Sequence, residues 1–152
     1  MKIAVGADHG GFLLKGVVAI FLKEKGHEVV DMGAFSLDPL DDYPESSRSV
    51  SETLLAGKAE RGILICGSGV GASIAANKFP GIRAAVCHDT FSAHQGVEDD
   101  DMNVLCLGER IVGSELAKEI VARFVSAKFS GADRHIRRLS KVKVIEKEFM
   151  KL

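Results

Sequence analysis

Two glycine-flanked segments hold most of the chemistry this chain offers: Asp8-His9-Gly10-Gly11 and Cys66-Gly67-Ser68-Gly69-Val70-Gly71-Ala72. Each follows an apolar run of strand length. Glycines let the main chain approach a ligand closely, and a helix N-terminus behind them offers unpaired N–H groups to an anion. Such a loop is suited to the negative oxygen of an enediolate. A thiol just ahead of a helix N-terminus is expected to ionise more readily than a free cysteine, so Cys66 is a candidate base. The plainer reading of Cys66 is an inert, buried strand cysteine. Cys87 and Cys106 lack a glycine loop and read as inert.

The same loop also reads as Gly67-x-Gly69-x-x-Ala72, a loose dinucleotide fingerprint with Asp89 about twenty residues on. A non-catalytic nucleotide-binding module is therefore a competing function. Against it, the motif follows the third strand rather than the first, and the chain has no room for a second substrate domain. No Lys-Ser/Thr pair follows the glycines, so it is not a Walker A loop.

Basic residues gather late in the chain. Arg134, Arg138 and Lys141 fall near one face at the start of a final helix, beside His135 and Arg137. Cations at a helix N-terminus oppose the macrodipole by about 0.3–1 kcal/mol each. A bound phosphate reverses that sign; without one, the segment is a solvated basic turn. Arg110, just past the fifth strand, is a further candidate. Among five histidines, His27 reads as surface, His88 and His94 flank a βα turn, and His9 faces the glycine loop. No His or Cys pair has ligand spacing on a common face, so no metal is expected.

These residues need a scaffold, and the pattern supplies one. Strand-length apolar runs lie at Lys2–Ala7, Glu28–Met32, Gly62–Cys66, Arg83–Cys87 and Asn103–Leu107. Between them, Leu13, Leu14, Val17, Val18, Phe21 and Leu22 recur at helical steps, with Gly26 as a stop. Ser47–Ala56, Gly71–Asn77 and Phe91–Val97 fill the next connections, and Leu116, Ile120, Val121, Phe124 and Val125 mark a longer helix. Alternating strands and helices mean βαβ units and a mostly parallel sheet covered on both faces. If strands one and three are neighbours, the two glycine segments share one crevice at the strands' carboxyl ends. After Asp133, a plausible N-cap, a last helix carries Ile136, Leu139, Val142, Ile145 and Phe149 along one stripe. It either folds back on its own domain or docks on another subunit.

The composition fits one domain of 152 residues, 46% of them hydrophobic and 27% charged. Lys plus Arg number 20 against 21 Asp plus Glu, so no bulk field points to nucleic acid or an anionic membrane. No apolar stretch approaches the roughly 18 residues of a membrane helix. The chain opens on a strand-like run without signal-peptide zones, and three unframed cysteines suit a reducing cytoplasm.

The run Gly62-Ile-Leu-Ile-Cys-Gly-Ser-Gly-Val-Gly-Ala-Ser-Ile-Ala-Ala-Asn-Lys78, followed by Gly81-Ile-Arg-Ala-Ala85, closely resembles the type B ribose-5-phosphate isomerases, which share a family with the galactose-6-phosphate isomerase subunits. Ala7-Asp-His-Gly-Gly-Phe12, Asp42-Tyr-Pro44, Asn103-Val-Leu105, Gly108-Glu-Arg-Ile-Val-Gly113 and Arg134-His135 with Arg138 match too. The resemblance implies a Rossmann-like three-layer αβα sandwich with a five-stranded parallel sheet and an extra C-terminal helix over 133–152. It implies a homodimer or homotetramer with shared sites, and no metal or organic cofactor. The activity implied is aldose–ketose isomerisation of a small sugar phosphate. Cys66 moves the proton between C1 and C2, while Gly67, Ser68, Gly69, Val70 and Gly71 hold the enediolate oxygens, Ser68 through its hydroxyl. Asp8, His9 and Tyr43 belong to the substrate site, and Arg110, Arg134 and Arg138 clamp the phosphate from a partner chain.

One departure bears on the substrate. The family usually carries a ring-opening histidine a few residues before Asn103, and here the matching residue is Asp99. An aspartate near its reference pKa of about 3.9 is a poor proton donor at neutral pH. Either Asp99, Asp100 or His94 takes over that role, or the substrate is already open-chain. A tetrose 4-phosphate such as erythrose/erythrulose 4-phosphate meets the second condition, because its O4 is esterified and cannot close a furanose.

Overall fold

The five apolar runs form strands β1 (Lys2–Ala7), β2 (Glu28–Asp31), β3 (Arg61–Cys66), β4 (Ala84–Val86) and β5 (Val104–Gly108). The connections are helices α1 (Phe12–Glu24), α2 (Tyr43–Leu55), α3 (Val70–Ala76), α4 (Thr90–Asp100) and α5 (Ser114–Ser126), and α6 (Asp133–Phe149) follows. The computed structural model describes residues 1–150. All strand pairs are parallel, in the order β2-β1-β3-β5-β4.

Strand side chains alternate between the faces of this sheet. Ile3, Val5, Ile63, Ile65, Leu105 and Leu107 pack in one cluster with Leu14, Val18 and Leu22 of α1, Val97 of α4, and Ile120 and Phe124 of α5. Ala4, Leu64, Val104 and Cys106 pack on the other face with Val50 of α2 and Ala72 and Ala76 of α3. The result is the expected αβα sandwich. Each fully buried Leu, Ile or Phe contributes about 1.5–3 kcal/mol relative to exposure, so the three central strands form its most resistant part.

Helix ends tie the layers to the loops. The Glu109 carboxylate, after β5, accepts the Leu14 N–H at 3.0 Å and so caps α1 from across the sheet. Asp89 caps α4 by accepting the Ser92 N–H at 2.7 Å. Gly26, at φ +83°, follows α1 as expected of a stop. Helix α2 starts at Tyr43 rather than near Ser47, with Pro44 in its first turn, where proline's missing N–H costs nothing.

The start of α6 differs from expectation. Asp133 is the first helical residue and makes no side-chain cap. Ser130 braces the turn ahead of the helix: its hydroxyl accepts the Ala132 N–H at 3.2 Å and bonds His135 Nδ1 at 2.6 Å. Of the predicted stripe, Leu139 is buried while Ile136, Val142, Ile145 and Phe149 stand exposed. The last two residues of the expected 133–152 helix lie outside the described residues. Among the described residues no helix is long and apolar enough to cross a membrane.

Candidate active site

Strands β1 and β3 are neighbours, with Ala7 beside Ile65, so both glycine segments leave the sheet side by side. They meet main chain to main chain. A Cβ on Gly10 would lie 2.9 Å from the Gly67 nitrogen, and one on Gly11 would collide with the Ile65 carbonyl. On the far side, a Cβ on Gly108 would stand 2.7 Å from Ser68 Cα. Gly69 turns the loop into α3 at φ +81°, where a side chain is strained.

Cys66 closes β3 and is 5% exposed. Its Sγ accepts the Gly69 N–H at 3.0 Å, so the loop's main chain folds back onto the sulfur. Ser68 is exposed, and its Oγ accepts the Val70 N–H at 3.3 Å. The Tyr43 ring packs flat on Gly71, where a Cβ would come within 2.8 Å of it. The Arg110 N–H donates to the Gly67 carbonyl at 3.1 Å, and its side chain lies along Gly67. Within its own chain, Arg110 therefore sits beside the glycine loop. The tight β5 turn that begins at Gly108 brings it there.

The other cysteines behave as the sequence suggested. Burial pushes the Cys87 thiol up to about 11 and raises Cys106 further still. Asp89, which a dinucleotide reading needs free, is engaged as the α4 cap. His88 accepts the Gly108 N–H at Nε2, 2.9 Å away, and braces the β5 end behind Ser68. His94 pairs with Glu98 on the surface of α4 at 3.0 Å.

Beside the glycine loop, Asp8 accepts the Gly10 N–H at 2.9 Å and is 8% exposed. Burial lifts its carboxyl above the usual range, against the pull of that N–H and of His9. The His9 ring bonds through Nδ1 to Asp41 Oδ1 at 2.7 Å, and the same oxygen accepts the His9 main-chain N–H at 2.9 Å. The Asp41 bond is the largest of the effects that raise His9 above its ordinary value. Asp41 was not among the residues singled out by sequence. Its only signal is an acidic pair, Asp41-Asp42, directly ahead of Tyr43-Pro44. Donor atoms of Asp8, His9 and Asp41 lie within 4.8 Å of one another, a grouping that sequence spacing did not reveal. Asp41 is hydrogen-bonded to His9, and Asp8 to the Gly10 N–H, so the imidazole is held by one carboxylate with a second close by.

The remaining candidates lie elsewhere in the chain. In a βα unit the helix runs back along the sheet, so the last turn of α4 sits near the strands' amino ends. Asp101 shows this by pairing at 2.8 Å with Arg83, just ahead of β4. Asp99 and Asp100 belong to that turn and are not brought to Cys66, since the 11-residue helix α4 spans about 16 Å. Asp99 Oδ1 lies 3.3 Å from Nε2 of His135, itself 3% exposed, and so binds α6 to α4. Asp100 is exposed at the mouth of a groove between the same two helices. Arg134 and Arg138 are exposed on α6 and have no hydrogen bond or ion pair among the described residues.

With this geometry in view, the chain was compared with known proteins. The model of the Ribose/Galactose Isomerase family matches residues 3–142. Ribose-5-phosphate isomerase B of Escherichia coli is 47% identical over 145 residues, 95% of this chain and 96% of its own. D-erythrulose-4-phosphate isomerase of Pectobacterium atrosepticum is 42% identical over 134 residues, 86% of each chain. The structure of Clostridium thermocellum ribose-5-phosphate isomerase B superposes with a TM-score of 0.94 at 48% identity, covering 98% of this chain and 99% of that one. The chain belongs to the ribose/galactose isomerase family.

Proposed function

We propose that this family member interconverts the aldose and ketose forms of a small sugar phosphate of the ribose 5-phosphate/ribulose 5-phosphate type, with Cys66 as the proton carrier. The supporting observation is the sulfur itself, held at the end of β3 beneath a loop whose Gly69 amide points at it from 3.0 Å. Cys66 takes the proton from C2 of the open-chain aldose, and the C–H electron pair becomes the C1–C2 double bond of an enediolate. Main-chain N–H groups of Gly67–Gly71 and the Ser68 hydroxyl stabilise its negative oxygen, a task in which fixed dipoles need no reorganisation. With the hydroxyl proton passed from O2 to O1, return of the carbon-bound proton to C1 gives the ketose and frees Cys66 as base again. Asp8, His9, Tyr43 and Arg110 line the same crevice and hold the substrate.

The phosphate clamp comes from a second copy. Arg134 and Arg138 have no partner of their own among the described residues, and the apolar stripe of α6 is left uncovered beside them. A homodimer or homotetramer in which residues 133–152 carry these arginines to another subunit's crevice accounts for both features. Three free, buried cysteines suit a cytoplasmic enzyme.

A second substrate reading has its own support. Asp99 holds the place of the usual ring-opening histidine, and its carboxylate is engaged with His135 as an acceptor. A relative acting on D-erythrulose 4-phosphate is 42% identical, which adds weight to an open-chain tetrose phosphate. Steady-state assay of four-, five- and six-carbon sugar phosphates tests both readings. A much higher kcat/KM for ribose 5-phosphate rejects the tetrose, and no aldose–ketose exchange with any of them rejects the isomerase.

A further inference from the structure

We propose that Asp41 is a positioning residue that orients the His9 ring toward the substrate's anionic group. The inference rests on the isomerase reading above. One carboxylate oxygen makes two bonds to one residue, with the ring Nδ1 at 2.7 Å and with the main-chain N–H at 2.9 Å. A ring bonded only through Nδ1 could still turn its plane; a main-chain bond to the same oxygen fixes where that oxygen sits. Nε2 has no partner among the described residues, on a side chain 37% exposed next to Gly10, which packs on Gly67.

The surroundings are suited to this role. Asp41 ends the long connection from β2 to α2. Near its start Lys15, buried, grips Asp31 at 2.7 Å and the Ala34 carbonyl at 2.6 Å. The Asp41–His9 pair fastens the other end over the crevice. The charged groups facing His9 are Asp8 on its own segment and Asp41 on the connection. Arg110, from the turn after β5, lies along Gly67, and Lys15 of α1 is turned away toward Asp31. Both carboxylates favour the imidazolium, and the Asp41 bond is the largest effect. A group raised in this way holds its charge to higher pH than a free histidine. An anion bound to it is lost only as pH climbs past that raised value.

The test uses full-length protein, Asp41→Asn, which keeps the shape and removes the charge, and Asp41→Glu. NMR titration should place His9 above the ordinary histidine value of about 6.5 in the parent and lower in D41N. The ratio of KM for ribose 5-phosphate, D41N over parent, should rise from near 1 at pH 5.5 to about five- to tenfold at pH 8, with D41E restoring part of it. In a His9→Gln background, D41N should leave the pH profile of KM unmoved. The ratio cancels the titration of the substrate's own phosphate. An unchanged His9 titration, or a KM ratio that is flat with pH, overturns the proposal. Failure of the isomerase reading looks different: the parent itself turns over no sugar phosphate, while the His9 titration remains readable.

Discussion

The carboxyl end of the sheet and the α4–α6 corner at its amino end hold residues proposed for one reaction, yet they are built differently. At the first, Cys66, Asp8 and the glycine loop are locked by main-chain bonds and by glycines with no room for a methyl group. At the second, Asp99 and His135 form a buried tie, while Arg134, Arg138 and the apolar stripe face outward. One region is finished within a single chain; the other leaves two arginines and an apolar stripe without a partner among the described residues. A symmetric pair that lays the second region of each chain on the first region of the other completes two sites at once.

The comparison can be broken at its strongest point first. Cys66→Ala should lower kcat by about 10²–10⁴ with the fold intact by circular dichroism, since general base catalysis supplies about that much. Near-normal turnover removes the sulfur from the role. Next, Arg134→Ala with Arg138→Ala should raise KM about tenfold or more without altering the melting temperature. Mixing this protein with the Cys66→Ala variant after subunit exchange sharpens the contrast. Random pairing gives one intact site in half of the dimers, so about a quarter of the parent activity should return. No recovery would mean that each chain works alone.

Smaller effects probe the two regions as pieces of structure. His135→Ala removes the tie between α4 and α6 and leaves Asp99 and Ser130 without their partner. It should cost about 1–3 kcal/mol in urea unfolding. Ser51, on α2 against the sheet, offers a control remote from the α4–α6 corner. Its hydroxyl is buried without a hydrogen-bond partner among the described residues, so Ser51→Ala should stabilise by about 1 kcal/mol and leave activity alone.

The central strands and the 3.6-residue rhythm of α1 and α5 were legible because burial on both faces demands apolar runs and regular stripes. The Cys66 loop was legible because glycines at that spacing have few other uses. Asp41 was not, since its meaning depends on a long connection folding 32 positions back onto His9. Nor was the partner of Asp99: His135 lies in a different helix, and only the packing of α6 on α4 joins them. That Arg110 lies beside its own glycine loop was not legible either, since the tight turn after Gly108 brings it there. Local chemistry shows in composition and spacing; pairings across long loops do not.

The contact between Gly108 and Ser68 has a consequence for anyone wishing to refit this pocket. The floor of the crevice is cast by the neighbouring strand, so neither Gly108, against the Ser68 main chain, nor Gly69, at φ +81°, can take on bulk to suit a shorter or longer sugar. Natural variation in substrate length, and any engineered change to it, has to be worked at the rim. That leaves the stretch from 33 to 42 and whatever another molecule contributes across the gap.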